Sequence, residues 1–112
     1  MDLDRTLVAL ADPTRRGVVD LLRASPRRAG ELSLALEMSP PAMSRHLRLL
    51  RESGLVEEAR DEADSRARVF RLRKEPFEAL GRWLDQVEAL WTDELASFKA
   101  HAEKTRKRGR AR

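Results

Sequence analysis

Between residues 38 and 56 the run MSPPAMSRHLRLLRESGLV sets hydrogen-bond donors and apolar side chains on opposite sides of a predicted helix. Met43, Leu47 and Leu50 recur every three or four residues and turn toward a core, leaving Ser44, Arg45, Arg48 and Arg51 outside. Hydroxyl and guanidinium groups in such a row can bond base edges and neutralise phosphates, and the DNA major groove accepts a helix. Ser39 suits the N-cap, and Pro40 and Pro41 suit the first turn, whose amides have no intrahelical partner. Gly54 suits the C-terminal end, before an extended Leu55-Val56.

Other elements must hold this helix in place. Leu3, Leu7 and Leu10 form a short apolar stripe, and Asp12-Pro13 opens a second helix as cap and first-turn proline. That helix turns Val18, Val19, Leu21 and Leu22 inward and Arg15, Arg16 and Arg23 outward, and stops at Ser25-Pro26. A third, from about residue 29 to 36, buries Leu32, Ala35 and Leu36 but has no clear N-cap. Joined by a short turn to the helix at 39–53, it makes a helix-turn-helix.

Residues 55–60 and 66–72 flank the polar stretch 61–65, the pattern of a hairpin or wing. Its arginines, Arg60, Arg66, Arg68, Arg71 and Arg73, fit two roles: edge charges that prevent aggregation, or phosphate contacts beside the basic helix. Asp61, Glu62 and Asp64 oppose the second role unless they pair with arginines or point away. From Pro76, Phe77, Leu80, Leu84, Val87, Trp91 and Phe98 recur at three- and four-residue spacing. That is more apolar surface than a domain this small can cover, so a homodimer is expected, with Leu3, Leu7 and Leu10 joining the interface. One of the two tryptophans, Trp83 or Trp91, is expected in the subunit's own core. Residues 1–102 form one domain, and the basic residues 103–112 are expected to be a disordered tail.

Composition removes whole classes of function. The 112 residues contain no cysteine, which excludes disulfides, thiolate metal sites and thiol redox switches. No apolar run approaches membrane-spanning length and Asp2 and Asp4 argue against a signal peptide, so a cytoplasmic protein is expected. The net charge of +4 suits an anionic partner. Five scattered glycines and two histidines offer neither a phosphate-cradling loop nor a nucleophile with its base, so no enzyme is expected. An alternative is a dimeric protein-interaction or nonspecific nucleic-acid-binding module, although the exposed surface lacks the aromatics that stack on RNA bases.

DPTRRGVVDLL at 12–22, AGELSLAL at 29–36 and SPPAMSRHLRLLRESGLV at 39–56 together resemble the ArsR/SmtB-type winged-helix transcriptional repressors. The resemblance covers about residues 3–98. It implies a mainly α fold with a small β-hairpin, a winged helix-turn-helix with an added C-terminal dimerisation helix, binding an imperfect palindrome in double-stranded DNA. Base-reading positions of the family fall on Pro40, Pro41, Ala42, Ser44 and Arg45. A polar residue is common where Pro40 stands, so Arg45 becomes the main sequence reader, able to donate twice to guanine O6 and N7. Ser39 and Ser44 then suit phosphate or water, and Arg48, Arg66 and Arg68 suit phosphate. His46 suits either phosphate or a hydrogen bond to a neighbouring helix. The thiolate metal positions of the family fall on Ser33 and Ala35, and residues 77–98 hold no histidine, with His101 alone beyond Asp85, Asp93 and Glu94. A metal-independent, cofactor-free member is implied, and no residue pattern specifies an inducing ligand.

Overall fold

The computed structural model describes residues 2–110. In order come α1 (Leu3–Leu10), α2 (Pro13–Ala24), α3 (Ala29–Ala35), α4 (Pro40–Glu52), β1 (Val56–Arg60), β2 (Arg68–Leu72) and α5 (Lys74–Arg110). The chain divides into two compact units, one ending at Leu80 and one beginning at Gly81.

Each short helix is started by its sequence. Asp2 accepts from the Asp4 and Arg5 amides at 3.0 and 3.4 Å, and Asp12 from the Arg15 amide at 3.0 Å, satisfying donors that helices leave open. The start that the sequence lacked for α3 comes from within the helix: Glu31 reaches back to accept from the Arg28 amide at 3.1 Å. Glu37, at φ 52°, turns the chain from α3 into α4. Ser39 caps α4, with Pro40 and Pro41 in its first turn, as the spacing predicts.

The first unit closes on one apolar cluster, in which Ala9, Val18, Leu22, Leu32, Met43, Leu47, Leu50, Leu55, Val56 and Phe70 are buried. Helix α1 meets it through Thr6 and Ala9 rather than along the leucine stripe; Leu7 is exposed, Leu3 half-buried, and Leu10 packs on the cluster. In α3, Leu32 and Ser33 are buried while Ala35 is exposed, because the helix ends there and Leu36, beyond it, packs back on the core.

The hairpin is antiparallel, with Val56 opposite Leu72 and Arg60 opposite Arg68. Its strands are shorter than expected, which puts Arg66 and Ala67 in the loop. Strict alternation fails in β2, where Val69 and Phe70 are both buried. A third piece of backbone covers the outer edge of β2: Arg27 exchanges two hydrogen bonds with Phe70, at 3.1 and 2.8 Å.

Helix α5 begins two residues before Pro76, which is buried in the first turn where its missing amide hydrogen costs nothing. It continues through 103–110, the segment expected to be a disordered tail; Ala89 to Arg108 contains no glycine or proline to stop it. Ala111 and Arg112 lie outside the described residues. Phe77 packs on the core cluster, but Trp83 and Trp91 are 41% and 60% exposed, so neither tryptophan is intrachain core.

Gly54 ends α4 with φ 77°, in the left-handed region that L side chains avoid, and a Cβ there would meet nothing within 4 Å. Conformation alone therefore sets the effect of Gly54→Ala. We expect about 1–2 kcal/mol of destabilisation, read as a lower denaturant midpoint at unchanged slope.

Candidate nucleic-acid interface

Helix α4 is fixed by its inward face and presents most of its outward face. Met43, Leu47 and Leu50 are buried; Ser44, Arg45 and Arg48 are exposed. Among the described residues, Arg45 and Arg48 have no acidic partner within ion-pair range. Arg51, expected on the same free face, is instead held by Glu58 of β1 at 3.4 Å. Pro40 and Pro41 are exposed at the leading end and Ala42 is half-buried.

Two arginines expected to face solvent from α2 turn back on the protein. Arg15 donates through Nε to the Ala9 carbonyl at 2.7 Å and through Nη2 to the Val8 carbonyl at 3.2 Å, and Arg16 donates to the Leu10 carbonyl at 2.7 Å. These carbonyls lie at the end of α1, where Val8 also accepts from the Ala11 amide at 3.2 Å, and a cation there complements the helix dipole. The remaining Arg15 nitrogen, Nη1, lies 3.5 Å from His46 Nδ1, so one guanidinium joins α1 and α2 to α4. Of the two roles open to His46, its ring makes the contact to a neighbouring helix. Sequence reasoning missed the anchoring role of Arg15; an arginine just inside a capped helix that directly follows another helix is the available signal.

A groove of about 380 Å³ separates α4 from the hairpin. Leu47, Phe70 and Ala29 give it an apolar floor, and Ser44 and Arg48 from α4 meet Arg68 from β2 at its rim. Arg68 likewise has no acidic partner in ion-pair range among the described residues. Arg66 does not line the groove; in the hairpin loop its amide donates to Asp64 at 3.0 Å. Arg51 and Glu58 also line the groove and pair with each other, so Arg48, Arg68 and the Ser44 hydroxyl are left to hold an anionic oxygen.

Of the acidic hairpin residues, Asp61 is paired with a cation, while Glu62 and Asp64 have none in ion-pair range among the described residues. Arg28 donates to Asp61 Oδ2 from Nε at 3.0 Å and from Nη2 at 2.7 Å, tying the hairpin to the start of α3. This hydrogen bond, helped by the Ala63 amide, holds the Asp61 carboxyl below its ordinary 3.8 and raises Arg28. Asp12 is lowered too, chiefly by the Arg15 amide. Carboxylates with lowered folded pKa add stability that is complete above the unfolded value and lost as pH falls through the folded one. The thermal midpoint should therefore hold near neutral pH and fall below about pH 4, with a shallower fall in Asp61→Asn.

Among the described residues no cluster of three or more His, Cys, Asp or Glu is placed to hold a metal ion, and no helix is long and apolar enough to cross a membrane.

A helix-turn-helix with an exposed basic second helix and a hairpin closing a groove beside it defines the winged helix-turn-helix class of DNA-binding proteins. Residues 12–58 match the family model described as bacterial regulatory protein, arsR family. The chain is 38% identical over 95 residues to the HTH-type transcriptional regulator Rv2034 of Mycobacterium tuberculosis, covering 85% of this chain and 83% of that one. An ArsR-like transcriptional regulator from Rhodococcus sp. RHA1 superposes with a TM-score of 0.74 at 29% identity, over 91% of each chain. A third similar protein is a Mycobacterium bovis possible ArsR-family regulator, whose winged helix-turn-helix DNA-binding domain is described as homodimeric. It superposes with a TM-score of 0.57 at 26% identity, over 82% of this chain and 80% of that one. The chain belongs to the ArsR family of bacterial transcriptional regulators, DNA-binding proteins rather than enzymes.

Proposed function

We propose that this protein is a homodimeric, metal-independent repressor whose two subunits each lay α4 against one half of a palindromic operator in double-stranded DNA. The observation that carries this reading is the set of exposed cations without carboxylate partners among the described residues: Arg48 and Arg68 line one groove, whose single carboxylate, Glu58, is taken by Arg51, and Arg45 stands on the outward face of α4 beside it. Arg45 reads a guanine edge beside Pro40, Pro41, Ala42 and Ser44. Ser39, Arg48, Arg66 and Arg68 take phosphates, and His46 supports α4 from behind. Dimerisation uses the apolar stripe of α5, in which Leu84, Val87, Trp91 and Phe98 are 36–74% exposed, together with Leu3, Leu7 and Leu10 near α1. The homodimeric relative supports this assembly. Metal independence rests on donor chemistry: Ser33 and Ala35 cannot bind a soft metal, and residues 77–98 hold no histidine. A dimer covering a promoter represses by occupying it until a signal weakens the complex.

Selecting bound duplexes from a random library tests the reading. An inverted repeat with half-sites centred about 10 base pairs apart is expected, with affinity falling steeply in salt and unchanged by a chelator. Recovery of unrelated sequences, or release by chelator, contradicts it.

A further inference from the structure

The leading turn of α4 has no hydrogen left to give from its backbone. Pro40 and Pro41 lack amide hydrogens, the Ala42 amide donates to Ser39 Oγ at 3.3 Å, and the Met43 amide donates to the Ser39 carbonyl at 2.9 Å. Both proline rings are nevertheless exposed, at the end of α4 where a base-reading helix enters the groove. Pro41, Ser44, Arg45 and Arg48 stand at i, i+3, i+4 and i+7, so one outward stripe runs from hydrocarbon through a hydroxyl to two guanidiniums. Ser44 and Arg48 of this stripe line the groove with Arg68, and the prolines, at the leading end of α4, do not line it.

In the major groove every base-pair edge displays donors or acceptors, and only the 5-methyl group of thymine offers a hydrocarbon surface. A proline pressed on a donor or acceptor strips its water and returns no bond, which is unfavourable. Resting on the reading of α4 as the base-reading helix, we propose that the Pro40–Pro41 pair is a specificity determinant that packs on a thymine 5-methyl group in each operator half-site. Such readout is shape-based and tolerates any base carrying a methyl group at that point.

The test uses the intact protein and the operator duplex recovered by selection, with each thymine replaced singly by deoxyuridine, which removes only the methyl group. We expect one symmetry-related position per half-site to lose about threefold to tenfold in affinity and the other positions to lose little. A 5-methylcytosine at that position should bind better than cytosine. The variant carrying Pro40→Gln with Pro41→Gln, checked for an unchanged melting midpoint, should bind the thymine and uracil duplexes equally. If no uracil position weakens binding while the operator is still preferred over a scrambled duplex, the proposal fails and the functional reading stands. Thymine preference surviving in the double variant also overturns it. If operator and scrambled duplex bind alike, the functional reading itself fails, and this inference with it.

Discussion

Trp91→Glu is expected to leave a folded subunit that no longer pairs and no longer holds its operator. Trp91 is 60% exposed on α5, so replacing it removes little of the subunit's own packing, and glutamate is a good helix former. In a two-fold interface the same residue occurs twice, so one substitution buries two carboxylates in an apolar seam. A central aromatic anchor is worth about 2 kcal/mol or more, and two of them about 4, a thousandfold in the dimer constant. Sedimentation should find monomers with an unchanged circular dichroism spectrum, and operator affinity should fall by about 100-fold or more as the second half-site ceases to contribute. A variant that still sediments as the wild-type dimer would remove α5 from the interface.

Arg45→Ala should give the second largest effect, and of a different kind. A guanidinium that donates twice to guanine contributes about 1–3 kcal/mol of discrimination, so binding to the selected operator should weaken and preference at one base pair per half-site should relax. Arg68→Ala, from the rim of the groove, should instead weaken all duplexes alike and lower the salt slope by about one per subunit. Equal losses on operator and random DNA for Arg45→Ala would move sequence readout to another residue.

Local chemistry in this chain was readable because it is repeated at several levels. Ser39, the two prolines, the Met43, Leu47 and Leu50 spacing and Gly54 all specify α4, and the structure has that helix with those buried residues. Long-range partners were not readable. The place of Arg15 just inside α2 signals its contact with the Val8 and Ala9 carbonyls but not its reach to His46, and nothing near Asp61 announces Arg28, 33 residues earlier. Nor does anything near β2 in sequence announce the Arg27 backbone, from another part of the chain, that covers its edge. In α1 the leucine stripe was the legible feature, while the buried positions Thr6 and Ala9 carry no apolar signal long enough to stand out. Binding roles for individual side chains depend on a partner molecule, and only the exposure and charge that would permit them can be read from one subunit.

Hydroxyl-radical cleavage of the selected operator, with the protein bound at saturation, tests the pairing of two α4 helices on one duplex most directly. Two protected patches are predicted, related by a dyad and centred about one helical turn apart on the same face. A single patch, or protection without two-fold symmetry, would contradict the account.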